Sequence, residues 1–131
     1  MGTSTRIEGG FRTITVGSSA VDAYLRVKLG TDGKHTVCSA TDFGDAITDE
    51  PIVANGTGTA RFVNAPGQQF GIASGAVATA GLKLYAAADG KVSTTQSTTE
   101  PLVGISEEAA ANGEVVTYTS AANTAVTIDN G

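Results

Sequence analysis

The chain has no tryptophan, one cysteine, one histidine and three prolines among its 131 residues. A single thiol, Cys38, excludes an internal disulfide, so nothing here calls for an oxidising compartment. One histidine, His35, without a second cysteine excludes the multi-His and Cys-rich donor sets of zinc sites. Aromatic residues make up 5% of the chain, so the core must be built from Val, Ile, Leu and Ala. Such side chains each bury little area, at about 25 cal/mol per Å², and association that buries more surface is expected. No stretch approaches the ~20 apolar residues of a membrane helix. Met1-Gly2-Thr3-Ser4-Thr5-Arg6 has no apolar run behind it and does not read as a signal peptide, so the chain is expected to be made in a cytoplasm and to have no membrane partner. Charged residues are 16% of the chain and the net charge is −5. Phosphate backbones repel an acidic chain, so direct nucleic-acid binding is not expected.

Chemistry is equally sparse. His35 follows the Asp32-Gly33-Lys34 turn and reads as a solvated residue. His35 and Cys38 stand three apart and would face opposite sides of a regular strand, which removes a nucleophile–base pair and leaves Cys38 as a small buried thiol. Asp42, Asp45, Asp49 and Glu50 form an acidic connection. Their spacing is not that of a calcium-binding loop, and a solvated acidic face is the expectation. Glu107 and Glu108 are adjacent and would diverge on a strand, which argues against a glycosidase pair. The run from Gly56 to Arg61 has arginine where a dinucleotide loop needs its third glycine. The expectation is a protein that is not an enzyme, with no catalytic residue, metal or cofactor.

What the chain does have is period-two alternation broken by turn signals. Phe11, Thr13 and Thr15 alternate with Arg12, Ile14 and Val16; Leu25, Val27 and Leu29 alternate with Tyr24, Arg26 and Lys28. Seventeen glycines supply turns, among them Asp32-Gly33, Asn55-Gly56, Asp89-Gly90 and Asn112-Gly113. These four turns fall in two pairs, and each pair is separated by 57 residues. At the same separation Leu25 meets Leu82, Arg26 meets Lys83 and Val27 meets Leu84. We read two degenerate β repeats, about residues 17–63 and 74–120, inside a single β domain of residues 17–131. The fold class expected is all-β: a compact β-barrel or β-sandwich of short strands. Its core would hold Leu25, Val27, Ile72, Leu82, Leu84, Val103, Ile105 and Val115. Ser106–Gly113 could add one helical turn, and Ala125–Ile128 a last strand.

Residues 1–16 read as an extended N-terminal arm ending in a first strand, or as a frayed terminus. The arm carries Arg6, Ile7, Phe11 and Arg12 in an otherwise acidic chain. Two cations and two apolar groups at a free end make these four the candidate contacts to a neighbouring chain, through extension of a neighbour's sheet.

Residues 75–119 carry a motif order: Gly81, Leu82, Leu84 and Tyr85, then Asp89-Gly90-Lys91-Val92, then Pro101-Leu102-Val103-Gly104-Ile105, then Gly113-Glu114-Val115-Val116. In this order the chain resembles the small capsid-decoration, or head cement, proteins of tailed phages. Val27-Lys28-Leu29 and Asp32-Gly33-Lys34 match that family's earlier strand and turn. The resemblance implies a β-rich structural protein on the exterior of the mature virion. It implies the major capsid protein as partner and a homo-oligomer, with a trimer favoured. The Ala/Gly/Thr-rich linkers and the segment after Ser120 depart from the family pattern. The alternative is a β-rich receptor- or glycan-binding module of a phage tail or fibre.

Overall fold

A computed structural model describes residues 10–65 and 67–122. The described residues are all-β, with ten strands and one short 3-10 turn among them. The first five strands are β1 (Phe11–Thr15), β2 (Arg26–Leu29), β3 (His35–Val37), β4 (Ala46–Thr48) and β5 (Thr57–Phe62). They form one sheet in the order β1-β5-β4-β2-β3. The second five are β6 (Gln68–Ile72), β7 (Lys83–Ala86), β8 (Val92–Ser93), β9 (Leu102–Ser106) and β10 (Val115–Ser120). Their order, β6-β10-β9-β7-β8, is the first order repeated. In each sheet a parallel bridge joins the first strand's end to the third strand, Val16 to His35 and Ala73 to Val92. That contact brings the two sheet edges together, so each unit is a small closed barrel, an arrangement that removes unpaired edges.

The registers show how close the repeat is. Arg26 pairs with Ile47 in the first unit, and Lys83 with Ile105 in the second. Phe11 pairs with Arg61, and Gln68 with Thr119. The equivalence runs at 57 residues through the first three strands of each unit and at 58 through the last two. One residue has therefore been gained between β8 and β9. A side-chain clasp repeats as well. Thr48 Oγ1 accepts from Leu25 N at 3.1 Å and donates to Asp22 O at 2.7 Å. Ser106 Oγ accepts from Leu82 N at 3.0 Å and donates to Thr79 O at 2.9 Å. Both hydroxyls are buried, and the doubled bond is what makes a buried polar group tolerable there. Each unit also holds one left-handed residue just before β2 or β7: Tyr24 at φ 65 and Gly81 at φ 85.

Two cores fill the barrels instead of the single core expected. One gathers Ile14, Val16, Val21, Leu25, Val27, Ala46, Ile52 and Ala60. The other gathers Ala73, Val77, Leu84, Ala86, Val92, Val103, Val116 and Tyr118, together with Ile47 from the first unit. Val115 is exposed and Ile105 half-buried, because Val116, Tyr118 and Ser120 take the inward positions of β10 and Val103 and Ser106 those of β9. Of the stretch 106–113, Ser106 ends β9 and residues 107–113 form a loop with an isolated bridge at Ala110, and no helical turn. The strand expected over 125–128 lies outside the described residues.

His35 is a correction. It is 8% exposed, not solvated, because β3 begins at the residue that bridges to Val16. Its counterpart in the second unit is Val92, which is fully buried. Burial lowers the His35 pKa from its ordinary 6.5. A depressed histidine pKa stabilises the fold above the unfolded value and withdraws that stability as pH falls through the folded value. We expect His35→Val to unfold at the same or higher urea concentration at pH 7.5, and to lose less stability than the parent between pH 7.5 and pH 5. An equal acid-induced drop in both proteins would show that His35 does not contribute the proton.

Candidate docking surface

Of the four expected contact residues, Arg6 and Ile7 lie outside the described residues. Phe11 and Arg12 stand on β1, so this part of the expected arm is a paired strand of the first barrel. Strand alternation sends them to opposite faces. Phe11 is 46% exposed on the outer face, with the Arg61 guanidinium 5.1 Å from its ring centre. Arg12 lies on the other face, 5.6 Å from the Phe62 ring centre. Each pair couples a cation to an aromatic ring, worth roughly 0.5–1 kcal/mol where exposed.

The Arg12 face opens into a cleft of about 580 Å³ at the mouth of the first barrel. Arg12, Ile14, Leu29, His35, Asp45 and Phe62 line it. Leu29 is 56% exposed there, and Asp45 accepts a 2.6 Å hydrogen bond from its backbone N–H. His35 Nδ1 is buried and has no hydrogen-bond partner among the described residues. The lining thus mixes apolar surface, one carboxylate and one unused imidazole nitrogen.

The acidic connection turns its oxygens to separate backbone groups. Asp42 takes Lys28 at 2.8 Å and both the N–H and hydroxyl of Ser39 at 3.0 Å, and the Lys28 contact chiefly lowers its pKa to about 2. Glu50 accepts from Thr59 N at 2.8 Å. No cluster of three His, Cys, Asp or Glu placed to hold a metal occurs among the described residues. Burial raises the Cys38 thiol to about 11, which keeps it protonated and poorly nucleophilic at neutral pH.

The residue that sequence reasoning missed is Arg26. Alternation puts it on the outside of the first barrel, yet it is 1% exposed. Its guanidinium donates to Ala87 O at 2.8 Å and Lys91 O at 3.0 Å in the second unit. In its own unit it donates to the carbonyls of Asp42, Phe43 and Ser39. Burial lowers its pKa. Gly90 N donates to Cys38 O at 2.9 Å beside it. A Cβ on Gly90, whose φ is +73, would stand 2.9 Å from Arg26 O. Phe43, Ile47 and Val63 complete this contact by packing into the second core, and Tyr24 meets the Phe70 ring edge-on at 5.6 Å. The first barrel therefore covers the mouth of the second, while among the described residues nothing covers its own mouth. Its counterpart Lys83 is also a cation and is exposed, so the burial of Arg26 belongs to the contact between units and left no signal in the repeat.

Fold and surface define a class: a tandem double-barrel β protein with an open cleft and a cation–aromatic strip at one end. No family model and no curated protein matches the chain. Among solved structures it is similar to the N base of the head fiber protein gp8.5 of bacteriophage phi29, at 19% identity and a TM-score of 0.68. The match covers 86% of this chain and 95% of that one. A likeness at this identity shows a shared fold. Among the described residues no helix is long and apolar enough to cross a membrane.

Proposed function

We propose that the chain is a non-catalytic structural protein of a phage virion that attaches to the outside of the head. The observation that carries this reading is the fold, shared along 95% of a phage head-fiber base. The decoration-family motif order in residues 75–119 supports the same class independently. Within it we place the chain as a decoration protein: it binds the mature lattice of the major capsid protein, as a homo-oligomer for which a trimer is favoured. A ligand that binds the assembled shell alone stabilises it by mass action, about 2.7 kcal/mol per site at a hundredfold excess over Kd. The outer strip of Phe11 and Arg61 is the capsid-facing candidate, since it joins exposed apolar surface to positive charge in an acidic protein.

A second reading follows from the similar structure, which is the base of a head fiber: this chain would seat a projection on the head. Both readings put the chain on the head. The receptor- or glycan-binding alternative draws less support, because the similar structure is a head-fiber base and the exposed Phe70 ring is packed edge-on by Tyr24.

The test is co-sedimentation of the purified chain with mature, undecorated heads of the parent phage. Saturable binding and a higher temperature of DNA release are expected. Phe11→Asp is expected to weaken attachment by about tenfold or more, the loss that follows from charging one central aromatic anchor. Heads that sediment without the chain would refute the reading. Full attachment of the Phe11→Asp protein would move the docking surface elsewhere.

A further inference from the structure

The two barrels are equivalent strand for strand, but their mouths are not equally filled. In the second barrel the positions matching Leu29, His35, Asp45 and Phe62 are Ala86, Val92, Val103 and Ser120, all 2% exposed or less. They are covered because the back of the first barrel sits over them. Ile47 belongs to the core that contains Ala86, Val92 and Val103. Its register partner Arg26 holds the carbonyls of Ala87 and Lys91 on the rim. In the first barrel no described residue takes the same place on the rim. The carbonyls matching Ala87 and Lys91 belong to Gly30 and Lys34, and the turn is closed in the same way, by Gly30 N to Lys34 O as by Ala87 N to Lys91 O.

The second barrel carries the matching plug. Lys83 pairs with Ile105 as Arg26 pairs with Ile47. Lys83 is exposed and Ile105 is half-buried, so this back surface is presented outward. The mouth is lined by one carboxylate, Asp45, beside one guanidinium, Arg12, and Lys83 is the cation that would meet Asp45.

We propose that the vacant mouth of the first barrel is the docking site for the back of the second barrel of another copy of this chain, so that the contact between barrels within one chain is repeated between chains. Ile105 of the incoming copy takes the place that Ile47 takes inside the chain, over Leu29 and Phe62. Its Lys83 reaches the rim carbonyls of Gly30 and Lys34 and the Asp45 carboxylate. The two sides of such a contact are different surfaces, which makes it heterologous and head-to-tail. Heterologous contacts close into a ring when the rotation permits and extend when it does not. The proposal deepens the homo-oligomer part of the proposed function and rests on that part alone. Head attachment is read in a separate experiment, so either can fail without the other.

Two variants separate the sides. Leu29→Arg blocks the mouth, and the double variant Lys83→Glu, Ile105→Glu blocks the back. Leu29 and Lys83 are exposed, and circular dichroism and urea unfolding report whether each protein keeps its β fold. Sedimentation velocity is run at about 1–100 µM, a range that brackets micromolar affinity. The parent chain is expected to sediment as an oligomer and each variant as a monomer. An equimolar mixture of the two variants is expected to form a dimer and stop there, because it contains one intact mouth and one intact back. A monomeric parent overturns the proposal. So does a Leu29→Arg protein that associates as well as the parent, whether its mouth is covered by residues 1–9 or by nothing. A mixture that remains monomeric also overturns it, since a contact between like surfaces cannot be restored by complementation.

Discussion

Replacing Arg26 with alanine is expected to lower the unfolding free energy by about 3–5 kcal/mol, the range reached when a buried hydrogen-bond network loses its hub. The cause is the number of acceptors it holds: carbonyls of Ser39, Asp42 and Phe43 in one unit and of Ala87 and Lys91 in the other. Hydrogen bonds to a charged group contribute about 1.5–3 kcal/mol each, and an acceptor left buried and unpaired costs about 1–3. Arg26→Lys should be intermediate. It keeps the charge but replaces a planar fork by one ammonium, which cannot reach both sides of the contact in fixed geometry. Because the side chain bridges the units, the alanine variant should also loosen their coupling. Urea unfolding followed by two local probes, one in each barrel, is expected to give one transition in the parent and two in Arg26→Ala. A single transition with a loss under about 1 kcal/mol, the size of an exposed ion pair, would mean that Arg26 adds little beyond its aliphatic stem.

Local order was legible because strands and turns announce themselves through alternation and turn chemistry. Leu25, Val27 and Leu84 point into the barrels as their alternation requires, and Gly33 and Gly90 take φ of 81 and 73 in matching turns. The second pair of turns was legible in kind but shifted in detail. Asn55-Gly56 and Asn112-Gly113 look aligned, yet the left-handed residue is Asn55 in one unit and Gly113 in the other. That one-residue slip is the extra residue before β9. The first strand of each unit was harder to assign, since β1 looks like part of a free terminus until β5, far along the chain, is seen to pair with it.

The surface was less legible for a different reason. Alternation reports which side of a strand faces its own barrel and is silent about a second barrel packed against the outside. Arg26 and Ile47 are outward positions that the second unit buries, and Phe43 and Val63 join them from loops. His35 was misread through its turn, although the repeat had already placed Val92 at the matching site. Comparing one repeat with the other carries more information here than composition does: a residue whose counterpart differs in polarity marks a place where the two units have different neighbours.

The same comparison yields a prediction inside the core. The pair Ile14–Gly58 in the first barrel corresponds to Gly71–Val116 in the second, so the large and the small residue have changed sides. Ala60 corresponds to Tyr118, which is 1% exposed. A Cβ placed on Gly71 would stand 3.0 Å from Tyr118 Cε1 and no closer than 3.5 Å to anything else. Gly71 is therefore small because Tyr118 is large. Tyr118→Ala is expected to cost about 3–5 kcal/mol, the usual range for removing a fully buried aromatic side chain. Gly71→Ala in the parent should be destabilising by about 1–3 kcal/mol through overpacking. In the Tyr118→Ala background the same change fills vacated space and should be neutral or stabilising. The double-mutant cycle is expected to return a coupling of about 1–3 kcal/mol, well above the scatter of about 0.3–0.5 seen for independent sites. Urea denaturation of the four proteins measures it. Additive losses would mean that Gly71 answers to the strand backbone and not to the tyrosine, and that the exchange of large and small residues between the barrels is not a compensation.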